Sequence, residues 1–119
     1  MRILLVEDSK DVRDAFAMLL RTDGATVVAV NTGRKAIEAA ERGGFDVVLS
    51  DYGLPDIAGD DLVRALVTRA GPSARTVVVT GYGEPYVSRA RRAGAEAVFT
   101  KPVEWSRVVS FLTKSARAA

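Results

Sequence analysis

Five polar side chains in this sequence stand directly behind apolar, β-branched runs. Glu7 and Asp8 follow Ile3-Leu4-Leu5-Val6, Asp51 follows Val47-Val48-Leu49-Ser50, Thr80 follows Val77-Val78-Val79, and Lys101 follows the run Ala95–Thr100. Taken singly, each is ordinary: an acid pair ends a turn, Thr is a strand former, and Lys before Pro faces solvent. Together they make a specific chemistry. Clustered carboxylates repel, raise one another's pKa and call for a cation. Oxygen-only donors suit Mg²⁺, which keeps several waters and takes one or two carboxylates. A cation, an ammonium and a hydroxyl suit the oxygens of a phosphoryl group. One carboxylate could then be the acceptor, forming an acyl phosphate. Asp51 is the best placed, because it ends a central strand with Glu7 and Asp8 flanking it on the neighbouring one.

Composition narrows the alternatives. The 119 residues contain no His and no Cys. Disulfides, zinc thiolates and thiol nucleophiles are excluded, as are imidazole bases and histidine-ligated metals. The length fits one domain over residues 1–119, and 48% apolar residues suffice for an ordinary core. No apolar run approaches a membrane span. Met1-Arg2 leads straight into the first run, with acids after it, so a secretory signal is not expected and a cytoplasmic location is. The net charge is +2, but residues 1–60 carry 7 basic and 11 acidic residues, whereas residues 61–119 carry 10 and 4. Arg89, Arg91 and Arg92 come nearest to a basic stripe. Without interleaved aromatics they read as a solvated or partner-facing helix surface, not a nucleic-acid site.

The elements that position the five side chains alternate. Runs at Arg2–Val6, Thr26–Val30, Asp46–Ser50, Arg75–Thr80 and Ala95–Thr100 read as strands. Between them lie helical spacings. The first has Ser9 as N-cap and Val12, Phe16, Leu19 and Leu20 on one face. The second runs from Thr32-Gly33 to Gly43-Gly44. The third carries Leu62, Val63, Leu66 and Val67. The fourth begins near Glu84, with Pro85 in its first turn. The fifth follows Pro102, with Trp105 packing alongside Val108, Val109 and Leu112. Five strands alternating with five helices predict a doubly wound α/β fold with a parallel sheet. In such sheets the working site lies beyond the carboxyl ends of the strands.

The set Ile3–Asp8, Val47–Pro55 with Gly59, Val77–Gly81 and Lys101-Pro102 resembles the response-regulator receiver domains of two-component phosphorelays, over essentially the whole chain. The resemblance implies a flavodoxin-like sheet of order 2-1-3-4-5. It implies that Asp51 accepts a phosphoryl group from a histidine kinase or histidine phosphotransfer protein. Asp8, Asp51 and the Gly53 carbonyl would ligate Mg²⁺ or Mn²⁺, with Glu7 reaching it through water. Lys101 would pair with the phosphoryl oxygens, Thr80 would swing toward them, and Phe99 would move inward as the switch aromatic. The Lys101-Pro102 bond is often cis in this family. A downstream protein, or a second copy, would bind the face made by the fourth helix, fifth strand and fifth helix. Such a module is not a conventional turnover enzyme. The chain would be either a stand-alone regulator or a receiver from a longer hybrid kinase, with no DNA-binding output domain of its own.

Some residues depart from the family pattern. Gly53 leaves no side chain over the acceptor, and Gly81-Tyr82-Gly83 makes a mobile loop in which Tyr82 can act as a lid; the same glycines could equally serve only a local turn. Gly81-Tyr82-Gly83 also forms half of a dinucleotide fingerprint, but Tyr86 stands where its third Gly is needed. A metal-dependent phosphohydrolase would want a second acid two residues after its nucleophile, and Gly53 stands there. A non-switching docking module is the remaining alternative. Tyr52 and Tyr86 read as surface residues, and Asp56, Asp60 and Asp61 as acids favouring the start of the third helix.

Overall fold

The computed structural model describes the backbone of residues 1–118 and the side chains of residues 1–112. Ten elements alternate strictly: β1 (Arg2–Val6), α1 (Lys10–Thr22), β2 (Thr26–Val30), α2 (Gly33–Arg42), β3 (Val47–Asp51), α3 (Gly59–Ala70), β4 (Arg75–Thr80), α4 (Tyr86–Arg92), β5 (Ala97–Thr100) and α5 (Trp105–Ala118). The strands form one parallel sheet of order β2-β1-β3-β4-β5, as expected.

Strand side chains alternate between faces with a period of two. Ile3, Leu5, Val47, Leu49, Val77 and Val79 pack on one face against Ala17 and Leu20 of α1 and Val108 and Leu112 of α5. Leu4, Val6 and Val48 point the other way, into α2 and α3. Val78 meets Val63 of α3 and Ala90 of α4 there. Burial on both faces is why the central strands are continuously apolar. Among the described residues, no helix is long and apolar enough to cross a membrane.

Boundaries differ from expectation where backbone groups are already engaged. β5 begins at Ala97, not Ala95, because the Ala95 amide donates to the Ala90 carbonyl and closes α4. Gly94, at φ +123°, makes that reversal, a conformation side chains resist. β3 starts one residue late and includes Asp51 as its last member. α4 is shorter than expected, with Pro85 as its cap and not in its first turn. Both Glu84-Pro85 and Lys101-Pro102 are cis.

The acids after β3 do more than favour α3. Asp60 and Asp61 do lie in its first turn. Asp56 instead crosses to α2, where its carboxylate accepts the Gly33 amide at 2.9 Å and the Arg34 amide at 3.0 Å. Those bonds hold its carboxyl below the ordinary value of 3.8, with the Gly33 amide the chief cause. The loop that follows Asp51 is thereby pinned to a neighbouring helix. Asp56→Ala is expected to lower stability by about 1 kcal/mol in urea denaturation, the scale of a lost helix cap. A depressed carboxyl stabilises above its unfolded value, so the difference from wild type should hold at neutral pH and narrow below pH 3.8.

Candidate functional site

The parallel register brings the strand ends to one edge. Val6 lies opposite Ser50, Asp51 opposite Val79, and Thr80 opposite Thr100. Glu7, Asp8, Asp51, Thr80 and Lys101 therefore stand at the same edge of the sheet. Oxygens of Glu7, Asp8 and Asp51 lie within 4.8 Å of one another. Glu7 is 3% exposed and Asp51 8%, so two of the three carboxylates sit largely out of water. Lys101 Nζ lies 3.1 Å from Asp51 Oδ2 and 3.5 Å from Glu7 Oε1.

Electrostatics follow from that packing. Burial pushes the Glu7 carboxyl above its ordinary value, helped by Asp8 and the charge of Asp51, against the Ser9 amide and Lys101. Burial also works against the Lys101 ammonium, but its hydrogen bond and attraction to Asp51, with Glu7 behind, outweigh this and raise its pKa. Three close oxygen donors carrying more negative charge than one ammonium offsets are a fitting set for a hard divalent cation.

The remaining expected residues lie around this centre. Gly53 is exposed; its amide faces Asp51 Oδ1 at 3.4 Å. The ring of Tyr82 passes 3.5 Å from where a Gly53 Cβ would stand, so an aromatic edge takes the place of the missing side chain. Thr80 is buried, and its Oγ1 accepts the Tyr82 amide at 3.0 Å. Phe99 is half-buried in a T-shaped contact with Phe111, ring centroids 5.8 Å apart. Ser9 caps α1 without a side-chain bond; its amide donates to Glu7 Oε2 instead. Trp105 packs half-buried on Phe16 of α1.

One expectation is corrected here. Tyr52 is not a surface residue: it is 6% exposed, and its hydroxyl donates to Asp60. Burial and that bond push the phenol up to about 12. Asp60 in turn accepts two bonds from Arg89. The available signal was Gly59: a Cβ there would come within 2.6 Å of the Tyr52 ring, so the tyrosine needs a glycine opposite it.

Comparisons with known proteins agree with this geometry. The family model described as the response regulator receiver domain matches residues 3–113. A response regulator receiver protein of Anaeromyxobacter sp. (strain Fw109-5) is 34% identical over 109 residues, covering 91% of this chain and 45% of that protein. The transcriptional regulatory protein CutR of Streptomyces coelicolor is 34% identical over 113 residues, covering 92% of this chain and 51% of that protein. The chain thus spans about half the length of these two relatives. A CheY-like receiver domain from Methanospirillum hungatei superposes with TM-score 0.88 at 27% identity, covering 96% of this chain and 91% of that one. A two-component response regulator from Clostridium difficile, 18% identical, shares the fold at TM-score 0.91, covering 98% of this chain and 96% of that one.

A raised Glu7 keeps its proton above the usual carboxylate value, and while neutral it offers less negative charge to a cation held at this edge. Mg²⁺ affinity by calorimetry should therefore rise with pH through and above 4.5, the ordinary value for Glu, and level off once Glu7 is ionised. Glu7→Gln should bind more weakly and lose the part of the pH dependence that lies above 4.5.

Proposed function

The chain belongs to the response regulator receiver family, signalling modules and not conventional enzymes, and from that premise we propose that Asp51 is its phosphoacceptor. The donor is a phosphohistidine on a histidine kinase or phosphotransfer protein. An Asp51 carboxylate oxygen attacks phosphorus, the P–N bond breaks, and the imidazole leaves with the electron pair and takes a proton from water. Hydrolysis of the acyl phosphate by water later restores the carboxylate and releases inorganic phosphate.

The observation that carries this reading is the convergence of Lys101, Glu7 and Asp8 on a buried Asp51 at the sheet edge. Glu7, Asp8, Asp51 and the Gly53 carbonyl are the residues that would hold Mg²⁺ or Mn²⁺, Glu7 through water. That ion, when bound, offsets the charge between acceptor and donor oxygens. Lys101, already 3.1 Å from Asp51, is placed to follow the transferred oxygens as a charge-assisted donor.

The new group brings about −1.5 to −2 charges and three strong acceptors. Thr80 stands one strand away with its hydroxyl oxygen accepting the Tyr82 amide. A hydroxyl rotated toward the phosphoryl oxygens would give up that amide and loosen the loop into α4. Phe99 would then turn inward from its contact with Phe111. The output is a population shift on the face of α4, β5 and α5, read by a downstream protein or a second copy. An open groove of about 470 Å³ lies on that face, lined by Phe99, Ser106, Arg107, Ser110 and Phe111. A cytoplasmic location belongs to the same proposal, in keeping with a chain whose described residues include no helix able to cross a membrane.

Asp51→Asn should abolish phosphoryl uptake from a donor kinase. Beryllofluoride with Mg²⁺ should change hydrogen exchange across residues 80–101 in wild type and much less in Thr80→Ala; no change in wild type would favour a docking module that does not switch. With Tyr82 acting as a lid over Gly53, Tyr82→Ala should shorten the phosphoryl half-life several-fold, on the order of 3–10-fold, and Gly53→Met should lengthen it. Equal half-lives would reduce the glycines to a local turn.

A further inference from the structure

Little apolar packing holds α4. It has seven residues, and Ala90 is the one that is buried. Its Arg89 reaches back to α3, where Nε and Nη2 both donate to Asp60 Oδ2, at 2.9 and 2.6 Å. The other oxygen of the same carboxylate accepts the Tyr52 hydroxyl. Tyr52 directly follows Asp51, its ring lies across Gly59, and its amide donates to the Val79 carbonyl at 2.9 Å. One carboxylate therefore joins the residue behind the acceptor to the helix on the far side of β4.

A second route ends on the same helix. Tyr86, the first residue of α4, lies 6.2 Å from Tyr52 and 5.3 Å from Tyr82 between ring centroids, and the Arg89 guanidinium sits 5.5 Å from the Tyr86 ring. Tyr82 is also the residue whose amide Thr80 holds. The acceptor segment and the Thr80 loop thus both converge on Tyr86 and Arg89.

We propose that the Tyr52–Asp60–Arg89 clasp sets the resting position of α4 and transmits the state of Asp51 to it, a coupling that rests on the acceptor role given to Asp51 above. Both Arg89 donors converge on one Asp60 oxygen while the Tyr52 hydroxyl occupies the other, so the carboxylate is held from two elements and defines one docked position for α4. An ion pair with an exposed partner is nevertheless weak in water, so the clasp can open. A helix with a thin apolar face and a polar tether has two accessible arrangements, which a transmitting element requires.

Hydrogen exchange measured on the full chain, with and without beryllofluoride and Mg²⁺, tests this. In the untreated protein, Arg89→Ala should speed exchange of α4 amides roughly tenfold and Tyr52→Phe somewhat less, with β1 and β3 amides unchanged, the scale of losing a charged or a neutral hydrogen bond. The double variant should exchange more slowly than the product of the two single effects, because both act through Asp60. Beryllofluoride should then change α4 exchange less in Arg89→Ala than in wild type. Unchanged α4 exchange in Arg89→Ala, a purely multiplicative double variant, or a full-sized beryllofluoride response in Arg89→Ala overturns the proposal. A wild type whose α4 ignores beryllofluoride overturns the transmission even if Arg89→Ala loosens the helix, whereas phosphoryl uptake that survives in Asp51→Asn overturns the acceptor reading separately.

Discussion

The site depends on one ammonium set between two buried carboxylates. Glu7 and Asp51 are held out of water on adjacent strands, and like charges so placed would favour protonation or separation. Lys101, delivered by the end of β5, offsets part of that cost from 3.1 and 3.5 Å. Lys101 leaves a net negative site open toward solvent on the side of Asp8. That imbalance is what makes the edge receptive to a cation and to a phosphoryl group, and it is why the three strands must end in register.

The sheet provides that register through packing that is otherwise unremarkable chemically. Alternate residues of β1, β3 and β4 bury against α1 and α5 on one side and against α2, α3 and α4 on the other. Both faces of β1, β3 and β4 are packed, so a slip of one residue would exchange the side chains fitted to the two helix layers and carry the strand-end groups off the edge. The same constraint that secures the core therefore places Glu7, Asp51, Thr80 and Lys101 at the same edge of the sheet. The loops are secured separately, the one after Asp51 by Asp56 on α2, and α2 itself by the Glu41–Arg69 ion pair to α3. α4 has the weakest apolar hold, which suits a helix that must respond.

Strands and helices were legible because their signals are local. Period-two and period-3.6 patterns, with glycines at the breaks, put nearly every element within a residue or two of its place. The shortfalls at β5 and α4 arose where a backbone group was claimed from outside the element, as when Ala95 closes onto Ala90. The five site residues were legible for a related reason: each sits immediately behind a strand, and parallel strands align their ends.

Residue types and spacing by themselves determined the fold class, the acidic edge, the exclusion of imidazole chemistry within this chain, and Asp51 as the acceptor candidate. A histidine enters this reading only on the partner. Tertiary structure alone decided that Tyr52 is buried, that Asp56 caps a helix more than twenty positions earlier, and that Asp60 joins Tyr52 to Arg89. These are polar contacts between separate elements, made by side chains whose sequence neighbours give no period to follow. Burial and pairing of a polar group depend on what the fold brings opposite it, so a tyrosine, two aspartates and an arginine that look like surface residues in the chain become its connecting parts in space.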